Sequence, residues 1–238
     1  MITISKRLPK QINQFLTVRT FGINLTTRIF ISLFFIIVFT GCTLAHAPSF
    51  TGTVLSPAPK ATDFSLLDQF GETVTLGDYK NQVVILTFVY TDCNDICPLI
   101  AHRLKEAEKY LRDGTTGQLN YNILLISVDP ARDTGVNRQE FLKNYGLGSW
   151  KYLVGQEAQL KQLWSAYYVA VLIDQSNQHS EESNSIDALG TQLLNNYSVT
   201  HQGPVYIIDK TGHARSIFTL PFDAEDLAND VKLLVNEN

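Results

Sequence analysis

Three short runs of apolar, β-branched and aromatic residues stand out along the chain, at residues 82–90, 121–128 and 205–209. Each run is short and is bounded by polar turn residues, so we predict three central strands that are covered on both faces. A shorter alternating pattern at residues 63–76 is divided by a Gln-Phe-Gly-Glu turn. This pattern predicts a β-hairpin that precedes the first central strand.

The stretches between these strands repeat their apolar residues at helical spacing. After residue 98 the apolar positions are Leu99, Ile100, Leu104, Ala107 and Leu111. They predict an amphipathic helix that extends to about residue 113. Further helices are predicted at residues 137–145, 157–167 and 222–235, and further strands at residues 151–154, 168–173 and 214–220. This order of elements predicts an α/β domain with a central mixed sheet and helices on both faces.

Two other segments lack a core-forming pattern. Residues 43–60 are rich in Ala, Pro, Ser and Thr, and we predict that they form a flexible tether ahead of a folded domain at residues 61–238. Residues 174–196 are polar and acidic, which predicts a solvated loop inserted into the domain.

The first 42 residues differ from the rest in charge and hydropathy. They contain five basic residues and no acidic residue, and an apolar run at residues 29–40 leads into Gly41 and Cys42. This pattern predicts a signal peptide or a retained membrane anchor, with the domain on the extracytoplasmic side of a bacterial cell membrane. The Thr-Gly-Cys sequence resembles the end of a lipoprotein signal, so Cys42 is a lipidation candidate. The alternative is that Cys42 belongs to an uncleaved anchor.

Charge excludes one class of partner. Without the basic N-terminal segment, the chain has 14 basic and 23 acidic residues. Nucleic-acid binding depends on a basic surface, so we expect no nucleic-acid partner.

The candidate chemistry lies in the loop after the first central strand. Cys93 and Cys97 are two of only three cysteines, and their spacing places them at the start of the predicted helix. The helix dipole there lowers the pKa of a thiol, and two thiolates form a disulfide or hold a soft metal such as copper. Tetrahedral structural zinc would need four ligands. A purely structural disulfide stays open as an alternative, although so small a loop restrains the unfolded chain little.

A third metal ligand would come from elsewhere in the chain. Among the five histidines, His201 precedes the strand predicted at residues 205–209, at the end of the sheet where the cysteine loop is expected. From these residues alone, a metal ligand and an ordinary loop histidine are equally good interpretations of His201. The other histidines are predicted to lie at the surface: His46, His102, His179 and His213.

Three motifs occur in a characteristic order. They are CNDICP at residues 93–98, SVDPARDT at residues 127–134, and VYIIDKTG at residues 205–212, which follows a lone histidine. Together they resemble the Sco/SenC family of membrane-tethered, thioredoxin-like proteins. The resemblance implies that Cys93, Cys97 and His201 are copper ligands and that Asp129 lies close to them.

The same resemblance implies a function. The chain would bind copper, as Cu(I) or Cu(II), and deliver it during assembly of the copper centre of cytochrome c oxidase. The expected partners are the copper-site subunit of the oxidase or another copper chaperone, and the Cys93–Cys97 pair could also transfer electrons. The alternative is an enzyme, a thiol-disulfide oxidoreductase that acts on partner cysteines without metal. The three-residue spacing of the cysteines, rather than the usual two, favours the chaperone.

Overall fold

The computed structural model describes residues 49–112, 120–174 and 197–237, together with Asn24. Several predictions concern residues outside these ranges: the N-terminal segment with Cys42, His46, His179 and nearly all of the insertion at residues 174–196. Within the described ranges, no helix is both long and apolar enough to cross a membrane.

Ten strands and four α-helices occur in the described residues. The strands are β1 (Thr53–Val54), β2 (Ser65–Leu67), β3 (Thr73–Thr75), β4 (Val83–Val89), β5 (Tyr121–Ser127), β6 (Lys151–Leu153), β7 (Val171–Asp174), β8 (Ser198–His201), β9 (Val205–Ile208) and β10 (Ala214–Phe218). The helices are α1 (Ile96–Arg112), α2 (Gly135–Asn144), α3 (Glu157–Ala166) and α4 (Ala224–Asn236).

A six-stranded mixed sheet forms the centre of the domain, with the order β1-β10-β9-β4-β5-β6. β4, β5 and β6 run parallel, whereas β9 pairs antiparallel with both β4 and β10. Every residue of β4 and β9 is buried, as expected of strands covered on both faces. Helices flank the sheet, and α1 packs beside α4. The thioredoxin-like α/β fold is therefore confirmed, including the N-terminal hairpin of β2 and β3.

The segment predicted as a flexible tether contributes to the domain from residue 51 onward. β1 pairs antiparallel with β10 at the edge of the sheet. The buried carboxylate of Asp230 in α4 accepts hydrogen bonds from the backbone N–H groups of Thr51, at 2.8 Å, and Gly52, at 3.2 Å. Backbone pairing and this carboxylate, rather than an apolar pattern, hold the segment in place. The boundary predicted at residue 61 is therefore too late.

A second departure concerns the approach to β9. Residues 198–201, which carry no strand pattern, form β8 and pair with β7 in a separate two-stranded ribbon. β8 contains a single buried apolar residue, Val199. Its conformation comes from cross-strand pairing, which the local sequence does not reveal.

The turn between β2 and β3 depends on a fully buried carboxylate. Burial tends to raise the pKa of Asp68, but hydrogen bonds from Lys151 Nζ and from the backbone N–H groups of Phe70 and Glu72 outweigh it and lower the pKa. An acid with a lowered folded-state pKa stabilises the fold above its unfolded-state pKa of about 3.9. This contribution is lost as the pH falls through the lower folded-state pKa.

We therefore expect Asp68→Asn to lower the free energy of unfolding by about 2 kcal/mol at neutral pH. The difference from wild type should shrink as the pH drops below about 4. Urea unfolding across this pH range measures both effects, with Asp226→Asn on the exposed face of α4 as the control. A difference that stayed constant with pH would contradict the assignment.

Candidate metal centre

The two cysteines lie where β4 leads into α1. Cys93 is in the connecting loop and Cys97 is the second residue of α1, and both are buried, with exposed fractions of 4% and 0%. They form a disulfide with their Cα atoms 5.8 Å apart. The backbone N–H of Cys97 donates to Cys93 Sγ at 3.3 Å. The N-terminal end of α1 therefore stabilises negative charge on Cys93 once the disulfide is reduced.

His201 is the last residue of β8 and faces the cysteine pair. Its Nε2 lies 3.4 Å from Cys97 Sγ, and its Nδ1 lies 2.9 Å from the carbonyl oxygen of Gln202. A proton on Nδ1 donates to this carbonyl and leaves the Nε2 lone pair directed at the sulfur. Burial lowers the pKa of His201 and so favours the neutral imidazole, which is the form that binds metal.

The ligand atoms of Cys93, Cys97 and His201 all lie within 4.8 Å of one another. It is the one such group of three His, Cys, Asp or Glu residues found in the described part of the chain. Two thiolates and one imidazole are a soft donor set that suits copper better than magnesium or calcium. Because only two thiols are present, the group does not match the four-ligand pattern of structural zinc.

The sheet topology explains why these residues meet. β9 runs antiparallel to β4, with Val205 opposite Thr87, so the chain enters β9 beside the end of β4. The Thr87 hydroxyl donates to the carbonyl of Pro204 at 2.9 Å and fixes this entry. Gly203 lies so close to α1 that a Cβ atom there would come within 2.3 Å of Ile100. The missing side chain lets the segment that carries His201 pack closely against the first turns of α1.

The carboxylate of Asp129, which was expected close to the ligands, is engaged by two other side chains. It follows β5 and is 2% exposed, and its carboxylate pairs with Arg132 Nε and accepts a hydrogen bond from the Tyr197 hydroxyl at 2.5 Å. Both carboxylate oxygens are thus occupied. Asp129 does not belong to the three-residue group, and its contacts are with Arg132 and Tyr197.

The pattern of the sequence did not indicate the role of Asp133. This residue is 1% exposed, and its carboxylate accepts the backbone N–H of Thr91 at 2.8 Å, the Ser127 hydroxyl at 2.6 Å and the Tyr152 hydroxyl at 2.9 Å. It therefore joins the start of the cysteine loop to β5 and β6. The only signal was its place in the SVDPARDT motif.

Two tyrosines of the site were also missed. The Tyr90 hydroxyl donates to the carbonyl of Val199 at 3.0 Å, and its ring packs edge-on against His201 with the ring centroids 5.5 Å apart. Tyr197 lies just before β8 and stacks on Arg132. Tyr90 ends a strand pattern, where an aromatic residue is usually a core residue, and Tyr197 belongs to no pattern, so the sequence offered no distinguishing sign for either.

The remaining described histidines lie away from the site. His102 is exposed on α1, as predicted. His213 is partly exposed in the turn before β10, where its Nδ1 lies 2.9 Å from the Thr211 hydroxyl.

A cavity of about 550 Å³ opens beside the buried cysteine pair. Its wall includes Cys93, Asp92, Asn94, Arg132 and Glu140. The Cys93 side of the group therefore borders an open cavity.

Comparison with known proteins gives a consistent result. The family model described as SCO1/SenC matches residues 53–236. An SCO2-like protein of Rickettsia typhi is 26% identical over 164 residues, which cover 69% of this chain and 72% of the relative.

Solved structures show the same fold. ScoI of Arabidopsis thaliana, solved with copper bound, is 24% identical, with a TM-score of 0.60 over 75% of this chain and 99% of that one. BsSco, in which a disulfide switch was identified, is a member of the Sco family of cytochrome c oxidase assembly proteins. It is 20% identical, with a TM-score of 0.57 over 76% of this chain and 96% of that one. Because one family model spans most of the chain, including the cysteine pair and His201, this protein belongs to the SCO1/SenC family.

Proposed function

We propose that this chain binds copper through Cys93, Cys97 and His201 and delivers it during assembly of the cytochrome c oxidase copper centre. The observation that carries the proposal is the convergence of two sulfur atoms and one imidazole nitrogen within 4.8 Å. Family membership supports it, as do a copper-bound relative and a relative named for oxidase assembly.

Copper loading requires reduction of the disulfide. A partner dithiol supplies two electrons and two protons, so that the Cys93–Cys97 bond breaks and the partner becomes a disulfide. The two thiols then lose their protons as they bind copper. In the reverse direction, a partner disulfide would accept two electrons from the pair and two protons from water, so that the Cys93–Cys97 disulfide forms again and the ion is released. One site would thus couple metal binding to electron transfer.

Delivery follows from the small number of ligands. A three-ligand site leaves room for an incoming thiolate or imidazole, and the ion can pass to a partner by stepwise ligand exchange. The cavity beside Cys93 provides the approach. The proposed recipient is the copper-site subunit of the oxidase, with another copper chaperone as the alternative partner.

The proposal places the domain at a membrane. The basic flank and the apolar run at residues 29–40 support an N-terminal anchor in a bacterial cell membrane, with the domain on the extracytoplasmic side. The anchor is either a lipid on Cys42 or a retained helix. The mass of the mature protein distinguishes these two forms.

Copper titration of the reduced full chain tests the function. Wild type is expected to bind one Cu(I), and His201→Ala to bind it about 100-fold more weakly, since even outer-shell partners contribute about 10–100-fold to metal affinity. His102→Ala, which removes an exposed histidine of α1, is the matched control and should bind as wild type does. Wild-type affinity in the His201 variant would contradict the three-ligand site.

The enzyme alternative has one observation in its favour, the disulfide at the N-terminal end of α1. Such a position lowers the pKa of a thiol and makes it a better nucleophile for partner disulfides. Rapid reduction of a disulfide substrate that is unchanged by added copper and by His201→Ala would support a thiol-disulfide oxidoreductase. Reduction that copper inhibits would support the copper site instead.

A further inference from the structure

The ribbon that carries His201 has few apolar anchors. β7 and β8 form a two-stranded sheet apart from the main sheet, and most of β7 is exposed. Val199 is the buried apolar residue of β8. Isolated two-stranded ribbons are marginally stable, so the position of His201 depends on contacts that hold this ribbon to the rest of the domain.

The side chain of Arg132 supplies several of these contacts. It is 11% exposed and pairs through Nε with Asp129. Its Nη1 donates to Asp92 Oδ2 at 2.9 Å and to the carbonyl of Tyr197 at 3.1 Å. The guanidinium carbon also lies 4.1 Å from the centroid of the Tyr197 ring, which is close enough for a cation–π contact.

These contacts join three separate segments. Asp92 precedes Cys93 in the cysteine loop, Asp129 follows β5, and Tyr197 precedes β8. Arg132 reaches the ribbon by a second path through Tyr90, whose ring centroid lies 5.5 Å from the guanidinium carbon. Tyr90 in turn holds the Val199 carbonyl and packs against His201. One cation, which is largely shielded from solvent, thus contacts the cysteine loop and the ribbon together.

We propose that Arg132 is a positioning residue that clamps the β7–β8 ribbon onto the cysteine loop and thereby keeps His201 facing the cysteine pair. These contacts require a guanidinium. Its several N–H groups in one plane donate to two carboxylates and a carbonyl, while the face of the same plane stacks on an aromatic ring. The expected effect of the clamp on copper affinity rests on the proposed function. The effect of the clamp on the position of the ribbon is independent of copper binding.

The alternative explanation is that Arg132 forms ordinary ion pairs that only stabilise the fold. The pair with Asp92 gives little support to either view, since Asp92 is 62% exposed and such pairs contribute at most about 1 kcal/mol. If Arg132 is a clamp, the effect of its substitution on copper affinity should depend on the presence of His201. A general stabiliser would weaken copper binding equally whether or not the histidine is present.

Hydrogen exchange of the metal-free, disulfide-bonded protein tests the clamp without copper. In Arg132→Ala, the amides of β8 and of Gln202, which bonds to the Ala170 carbonyl, should exchange at least about 10-fold faster. The amides of β9 should be unchanged. Arg103→Ala, which removes a half-exposed arginine paired with Glu106 on α1, is the control. Unchanged β8 exchange, or equal acceleration in β8 and β9, would overturn the clamp.

A double-mutant cycle tests its role in binding. We expect Arg132→Ala to lower Cu(I) affinity about 10-fold in the wild-type background and to have almost no effect in His201→Ala. Equal losses in both backgrounds would overturn the link to His201. If wild type bound no copper, the proposed function would fail, and the exchange experiment would still decide the clamp.

A conservative variant covers the case in which Arg132→Ala does not fold. Arg132→Lys keeps the positive charge beside Asp129, but an ammonium group lacks the coplanar N–H donors and the flat face of a guanidinium. We expect faster β8 exchange in this variant as well, with the thermal midpoint close to that of wild type. Wild-type β8 exchange in a folded Arg132→Lys protein would contradict the requirement for a guanidinium.

Discussion

Replacing Cys97 by serine is expected to lower the affinity of the reduced protein for Cu(I) by more than about 1,000-fold. Loss of an outer-shell partner alone costs about 10–100-fold, and here a soft thiolate is replaced by a hard hydroxyl at the ligand position itself. Cys97 is fully buried and its sulfur lies against both Cys93 and His201, so the substitution removes a sulfur ligand from the middle of the group. Competition with a chromophoric Cu(I) chelator measures the loss.

The chain offers a matched control for this substitution. Cys42→Ser makes the same chemical change at the third cysteine and is expected to leave copper affinity unaltered. Thermal unfolding of both variants shows whether the folded domain is retained. Near-wild-type copper affinity in a folded Cys97→Ser protein would contradict the proposed site.

Replacing Asp133 by alanine is expected to lower the free energy of unfolding by about 3 kcal/mol or more. The carboxylate accepts three hydrogen bonds in the interior, from Thr91, Ser127 and Tyr152. Its removal leaves a backbone N–H and two hydroxyls without their partner and opens a small cavity. Since Thr91 begins the cysteine loop, the loop should also lose its fixed position.

Two further variants make the Asp133 test specific. Asp133→Asn keeps one acceptor oxygen and a similar volume, so its free energy of unfolding should lie between those of wild type and Asp133→Ala. Asp226→Ala removes an exposed carboxylate of α4 and is expected to change stability by less than about 0.5 kcal/mol. Chemical unfolding measures all three proteins. If Asp133→Ala and Asp226→Ala had similar free energies of unfolding, the hydrogen bonds of Asp133 would not contribute to stability.

The central strands could be predicted because their cause is local. β4, β5 and β9 are nearly continuous apolar runs, as expected of strands that are covered on both faces of a mixed sheet. The cysteine pair followed from spacing, because Cys93 and Cys97 stand at the junction of a strand pattern and a helix pattern.

Other parts of the fold depend on partners that are distant in the sequence. β1 is a strand because it pairs with β10, and β8 because it pairs with β7, although neither has an apolar pattern. The contacts of Asp133, Tyr90 and Arg132 likewise join residues from separate strands and loops. A periodicity argument finds faces that are buried, but it does not identify which polar groups meet there.

The position of His201 falls between these cases. Its place before β9 indicated which end of the sheet it would reach, since an antiparallel β9 starts where β4 ends. The sequence did not indicate that β8 would present the imidazole, that Gly203 would permit the close approach, or that Tyr90 and Arg132 would hold the ribbon. Those features are tertiary, and they determine whether the histidine faces the sulfur atoms.

X-ray absorption at the copper edge of the reduced, Cu(I)-loaded full chain tests the central claim most directly, because it reports the atoms bound to the ion. The proposed site predicts two sulfur neighbours from Cys93 and Cys97 and one nitrogen neighbour with the outer-shell scattering of an imidazole. In His201→Ala the imidazole signal should disappear while both sulfur neighbours remain. An unchanged imidazole signal in that variant, or a wild-type spectrum without sulfur, would contradict the proposed copper site.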